Sequence, residues 1–118
     1  MTLTQYYLIK LAEEASEVAQ IALKSAHFGL SERHPERTEN NAQRIYAELN
    51  DLLAMVYRLE DASRGEFHFV ENHHAISAKM DKVDHYLAYS QSLGLVETEH
   101  TARETDARMI ATSNEVVG

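Results

Sequence analysis

Two stretches of this sequence carry acids at spacings that suit chemistry. Leu11-Ala12-Glu13-Glu14-Ala15-Ser16-Glu17-Val18 holds three carboxylates, and Ala47-Glu48-Leu49-Asn50-Asp51-Leu52-Leu53 holds two. An α-helix turns about 100° per residue, so residues three or four apart share a face. On helices, Glu13, Glu14 and Glu17 fall within one arc of about 100°, and Glu48 and Asp51 within about 60°. Five acids on two facing strips repel one another, so a positive charge is expected between them. Mg²⁺ and Mn²⁺ are hard cations that take such oxygen ligands. Held there, they would neutralise and orient a polyphosphate and lower the pKa of a bound water. The spacing therefore permits a hydrolase site for a triphosphate. A solvated acidic rim is the competing reading, because single Glu-x-x-Glu or Glu-x-x-Asp pairs are common on exposed helix faces.

The elements that must position these acids follow from the hydrophobic pattern. Leu8, Leu11, Ala12, Ala15, Val18, Ala19, Ala22 and Ala26 recur at steps of three and four. They predict a helix from about Thr4 to Phe28, capped by Thr2 or Thr4 and ended by Gly29. Glu14 then sits at the edge of the apolar stripe. Residues 30–39 break the pattern around Pro35 and read as a polar loop. A loop beside a site could also bring Arg33, His34 or Arg37 to a ligand's phosphates. Ile45, Leu49, Leu52, Val56 and Leu59 predict a second helix from about Asn41 to Ser63, stopped by Gly65. Glu48 and Asp51 flank its seam. Glu60, about three turns beyond Glu48, is expected to be a solvated acid.

A third helix is predicted from about Asn72 to Leu93, with Ile76, Met80, Val83 and Leu87 as its stripe and Gly94 at its end. Lys79 and Lys82 give it a basic rim at the helical phase where the second helix has its acids. Lysines so placed suit the outer phosphates of a ligand as point charges. The tail from Val96 is expected to hold at most a weak helix, over Arg103–Thr112. His73 and His74 are adjacent and diverge on a helix, so the histidines read as surface or loop residues. Tyr6 and Phe28 read as core or interface aromatics, with stacking on a base as the alternative.

Composition sets the outer bounds. The chain has 118 residues, which suits one small domain, expected over residues 1–95 with 96–118 as a tail or short helix. With 44% hydrophobic residues, one Pro and four Gly, the expected class is an all-α bundle of three to four main helices. So small a bundle is expected to complete its core by self-association, as a dimer or tetramer. A formal net charge of −8 argues against binding to a nucleic-acid backbone. The chain has no Cys, so thiolate metal sites and disulfides are excluded. The sequence carries no membrane-length apolar run and no signal-like start, so a cytoplasmic protein with no membrane partner is expected.

The two acidic motifs together carry a resemblance. Glu13-Glu14-x-x-Glu17 followed by Glu48-x-x-Asp51 resembles the signature of the all-α nucleoside triphosphate pyrophosphohydrolase superfamily, the MazG-like group. Lys79-Met80-Asp81-Lys82 is similar to its downstream Lys-x-x-Lys element. The likeness covers roughly residues 6–90. It departs from the family in the long interval between motifs, residues 18–47, and in Val83, where Asn is frequent. The resemblance implies hydrolysis of a (deoxy)nucleoside triphosphate to its monophosphate and pyrophosphate with Mg²⁺ or Mn²⁺. It implies Glu14, Glu17, Glu48 and Asp51 as metal ligands, and Lys79 and Lys82 as phosphate-binding residues. Glu13 is implied as a further ligand or as the catalytic acceptor of the water's proton.

Overall fold

A computed structural model describes residues 1–99. Its described residues form three α-helices and no strand: α1 Leu3–Phe28, α2 Asn41–Ala62 and α3 His73–Ser92. The all-α expectation holds, and each helix begins and ends within one or two residues of its predicted bounds. The expected weak helix over Arg103–Thr112 lies outside the described residues. The chain divides into two compact units, Met1–Val70 and a second beginning at Glu71.

In the first unit α1 and α2 pack as an antiparallel hairpin. The start of α1 meets the end of α2, where Thr4 Oγ1 donates to the Ala62 carbonyl at 3.4 Å. Both helices open with a capping box. Thr2 and Gln5 satisfy each other's backbone N–H groups on α1, and Asn40 and Gln43 do so on α2. α1 stops at Gly29, whose φ of 94° is open to glycine at no steric cost and whose N–H reaches the Ser25 carbonyl at 2.8 Å. Arg64 (φ 54°) and Gly65 (φ 85°) turn the chain out of α2 in the same left-handed region.

The packed seam is rotated from the apolar stripe read in the sequence. On α1 the residues turned inward include Thr4, Tyr7, Leu11, Glu14, Val18, Ile21 and Ser25, with Lys10 and Lys24 partly buried beside them. On α2 they include Asn41, Ile45, Glu48, Leu52, Met55, Val56, Leu59 and Ala62. Apart from Val56, which adjoins Met55, these positions alternate in steps of three and four, the spacing of a coiled-coil-like contact. Leu59 (0% exposed) and Ile21 (5%) are its fully buried apolar members. Leu8, Ala12, Ala15, Ala19, Ala22 and Ala26 are instead exposed, and so is Leu49 at 42%. α1 carries two apolar faces, and periodicity alone does not say which of them α2 takes. The consequence is that Glu14 and Glu48 occupy the seam itself and do not merely flank it.

The loop between α1 and α2 is closed by Asn41, which is fully buried. Its Nδ2 donates to the Gly29 carbonyl at 2.9 Å and to Glu32 Oε2 at 2.8 Å. Its backbone N–H donates to the Glu32 carbonyl, and that of Ala42 to the Leu30 carbonyl, both at 2.9 Å. The other end of α2 is tied down by Glu60. Its carboxylate accepts from the Phe69 N–H at 3.0 Å and lies 3.9 Å from His68 Nδ1. Glu60 is therefore a structural anchor with a side chain 23% exposed, and not the solvated acid expected of it.

In the second unit, Asn72 caps α3 by accepting from the Ala75 N–H at 2.9 Å. Gly94 follows the helix with φ 74°. None of α3's residues is buried, and Ile76, Met80, Val83 and Leu87 are 40–61% exposed. No helix among the described residues is long and apolar enough to cross a membrane.

Asn41→Ala removes two side-chain hydrogen bonds, one of them to a carboxylate, and leaves the Gly29 carbonyl without that donor. A loss of about 1–3 kcal/mol in unfolding free energy is expected from denaturant titration. A loss below about 0.5 kcal/mol would mean that the backbone bonds alone close the loop.

Candidate metal centre

Glu14 and Glu48 face each other because each occupies a seam position on its own helix. Glu17, one turn further along α1, is exposed at the rim. One carboxylate oxygen from each of Glu14, Glu17 and Glu48 lies within 4.8 Å of the other two. No lysine, arginine or histidine forms an ion pair with any of the three among the described residues. Glu14 Oε2 and Glu48 Oε2 are buried and have no hydrogen-bond partner.

The electrostatics follow from that crowding. Desolvation is the largest influence on Glu14 and pushes its carboxyl pKa up. The close Glu17 carboxyl adds to this by charge and by a hydrogen bond when one of the pair is protonated; Asp51 and Glu13 add further charge. Glu48 is also pushed up, first by desolvation, then by Glu17, Asp51 and Glu14. The fold holds these acids where ionising them is unfavourable. A bound cation reverses that sign.

The donor set is all oxygen, which suits a hard divalent cation. Two oxygens on one Mg²⁺ stand at most about 4.2 Å apart, twice the ~2.1 Å bond length. A spread of up to 4.8 Å is within a small side-chain rotation of that limit. The buried, unpartnered oxygens of Glu14 and Glu48 are what an inward-facing ligand pair presents. The residues present therefore fit such an ion.

The other acids of the motifs stand apart from this group of three. Asp51 is exposed, yet its charge reaches both Glu14 and Glu48. Glu13 points to solvent and pairs with Lys10 at 3.1 Å, which raises the Lys10 pKa, chiefly through that hydrogen bond. Exposed pairs of this kind contribute little to stability. Lys79 and Lys82 lie exposed on α3, in the second unit. Tyr6 and Phe28 are exposed, at 44% and 65%, and neither is a core aromatic within the first unit.

Sequence reasoning passed over Lys24 and Arg44. Both line a cavity of about 330 Å³ whose wall includes Glu17 and Glu48. Helical spacing held the signal: Lys24 is seven residues after Glu17 and Arg44 is four before Glu48, so each shares a face with an acid of the cluster. Of the loop residues, His34 and Arg37 line a neighbouring cavity with Lys24 and Arg44; Arg33 and Arg37 are both exposed.

No family model matches the chain, and no curated protein or solved structure matches it. The likeness to the MazG-like group therefore stands on the motif residues themselves.

The raised pKa values of Glu14 and Glu48 set the sign of a pH effect. A carboxyl with a folded pKa above its unfolded value destabilises the fold when ionised. That penalty is complete above the folded pKa and vanishes as pH falls to the ordinary glutamate range. Glu39, lowered chiefly by its hydrogen bond from Arg37, works in the opposite sense, but on an exposed surface. In EDTA, melting temperature should rise as pH falls from neutral towards the ordinary glutamate range. Glu48→Gln should raise the neutral-pH value and flatten the slope. Millimolar Mn²⁺ should raise the wild-type melting temperature and reverse its slope, because protons then compete with the ion. Melting that is flat with pH and indifferent to Mn²⁺ would remove the case for a metal centre.

Proposed function

We propose that this protein is a metal-dependent nucleoside triphosphate pyrophosphohydrolase, converting a (d)NTP to its (d)NMP and pyrophosphate. The role served is control or sanitation of a nucleotide pool. One observation carries the reading: two helices bring Glu14, Glu17 and Glu48 within 4.8 Å of one another, with two of their oxygens buried and unpartnered. The motif resemblance supplies the reaction class.

In this reading Glu14, Glu17 and Glu48 hold Mg²⁺ or Mn²⁺, with Asp51 as the fourth ligand at the rim. The ion, when bound, neutralises the phosphate chain and makes water a better nucleophile at neutral pH. The water oxygen bonds to the α-phosphorus, and the bridging bond between the α- and β-phosphates breaks. The bridging oxygen leaves with pyrophosphate, and the water's proton passes to a carboxylate or to solvent. Glu13, exposed and paired with Lys10 outside the group of three, enters through the motif as a further ligand or as the acceptor for that proton. Lys79 and Lys82 enter the reading through the motif alone, as phosphate-binding residues.

The exposed Ala12, Ala15, Ala19, Ala22 and Ala26 give α1 a face that admits close helix approach, and Leu49 and Leu53 lie exposed on α2. We assign these faces to a second copy of the chain, as a homodimer or homotetramer. The same open faces favour a second reading, in which the chain is a helical interaction protein or a nucleotide sensor without turnover. A panel of triphosphates with and without Mg²⁺ or Mn²⁺ separates the two, since only the enzyme releases pyrophosphate. Light scattering at micromolar concentration should give an oligomer, and a stable monomer would refute the assembly.

Substitutions assign the roles. Glu48→Gln keeps shape and removes a ligand charge, so turnover should fall at least ~100-fold, about 2.7 kcal/mol in the barrier. Glu13→Gln should cost less, because that carboxylate is exposed and stands outside the group of three. Asp61 is an exposed acid on the same helix as Glu48, and Asp61→Asn should stay within about twofold, under ~0.5 kcal/mol. Equal and small effects of Glu48→Gln and Asp61→Asn on pyrophosphate release would reduce the cluster to a solvated face.

A further inference from the structure

Three cavities in the Met1–Val70 unit share walls. One of about 330 Å³ lies among Glu17, Lys24, Arg44 and Glu48. Another of about 330 Å³ runs from Arg44 and Glu48 to Arg37 and Glu39. The third, about 630 Å³, extends from Lys24 and Arg44 to His34 and Arg37 in the loop. Arg44 lines all three, and their volumes fall in the range of small-molecule sites, ~300–1,000 Å³. Together they lead from the carboxylates to the α1–α2 loop.

Glu17 and Glu48 stand at one end of this path, and Glu36 and Glu39 line its loop end, where Glu39 is paired with Arg37. Lys24 and Arg44 lie two turns and one turn nearer the loop, about 10 Å and 6 Å along their helices. The hairpin is antiparallel, so both displacements run the same way. Neither cation forms an ion pair among the described residues, and Arg44 Nη1 is buried with no hydrogen-bond partner. Arg44 and Glu48 are one turn apart on α2, a spacing at which opposite charges can meet. They do not pair, and each keeps a buried atom unsatisfied. Arg37 is different: it is already bound to Glu39 at 2.8 Å. A buried guanidinium donor calls for an acceptor, and its planar fork matches phosphate oxygens.

We propose that Lys24 and Arg44 form an anion clamp that holds the phosphate chain of the substrate where it extends from the carboxylate cluster towards the loop. The ligand class is a short linear polyphosphate, free or carried by a nucleoside. That this anion is a substrate rests on the pyrophosphohydrolase reading; the clamp itself does not. Lys24 and Arg44 belong to none of the acidic or lysine motifs, and they stand in the same unit as the acids, on the two helices that carry them.

The test titrates inorganic tripolyphosphate and dATP calorimetrically into the full chain, once with Mg²⁺ and once in EDTA. Lys24→Gln and Arg44→Gln should each weaken both anions about tenfold, or ~1.4 kcal/mol. Arg44→Lys should recover part of the loss. Mn²⁺ affinity, measured without anion, should be unchanged or tighter in both variants, since a nearby positive charge has been removed. Weakening of tripolyphosphate alone keeps the clamp and assigns it to inorganic polyphosphate. Weakening of dATP alone overturns it, because the contact is then to the nucleoside. Binding of both anions within about twofold of wild type in both buffers also overturns it, as does a wild type that binds neither. If Glu48→Gln leaves Mn²⁺ binding intact, the metal reading fails by itself, and the anion titrations still decide the clamp.

Discussion

The burial of Glu14 and Glu48 against each other, with the Glu17 charge at the rim, is the constraint on which the rest of the hairpin depends. At two steps of a regular 3-4 seam, where a leucine would contribute about 1.5–3 kcal/mol by burial, the chain places a glutamate. Both glutamates are half-buried and neither has a cationic partner within the protein. A hairpin built for stability alone would not do this. Such a local loss of stability is common where a protein keeps a site, and it must be offset elsewhere in the fold.

The offset is visible on both sides of the acids. Towards the loop, Ile21 and Ser25 on α1 are buried, and the Ser25 hydroxyl is satisfied by the Ile21 carbonyl at 2.7 Å. Asn41 then joins the start of the loop to the start of α2. Towards the other end, Leu59 is sealed completely, and Glu60 ties the chain that follows α2 back onto the helix. The capping boxes fix where each helix begins and so fix its phase. A one-residue change of phase would rotate Glu14 by about 100° and remove it from Glu48. The distance between the carboxylates is thus set by contacts at the hairpin's two ends, several turns away.

This explains which parts were legible in the sequence. Helix bounds were, because Thr2, Gly29, Gly65 and Gly94 are local punctuation and act through the backbone beside them; the Asn40 and Asn72 caps were added by the structure. The convergence of Glu14, Glu17 and Glu48 was legible as a spacing, although their depth was not. Counting apolar residues centred α1's packed stripe on its alanines; the seam keeps only Leu11 and Val18 of that stripe and turns to take in Tyr7, Glu14 and Ile21. Alanine is a weak guide here: it favours helix wherever it stands and buries little area whichever way it faces. Glu60 was misread for the opposite reason, since its partners are a backbone N–H and a histidine contributed by an irregular segment without periodicity. Lys24 and Arg44 were passed over because basic residues were sought as a motif on α3, whereas helical spacing placed two of them beside the acids.

The arrangement of charge in the first unit has one further physical consequence. A chain with net charge −8 repels a polyphosphate at long range, and a buried carboxylate cluster adds to that repulsion at short range. Cations in solution change the second effect, while Lys24 and Arg44 act against it permanently. Their separation from Glu17 and Glu48 matters more than their number. Had Arg44 paired with Glu48 one turn away, each charge would have been spent on the other, leaving neither a ligand for metal nor a donor for phosphate. The α2 order, Arg before Glu, is the weaker orientation for such a pair on a helix. The hairpin therefore holds opposite charges within two turns of each other without letting them cancel, which in the proposed reading is the electrostatic condition for joining a cation and an anionic chain in one groove.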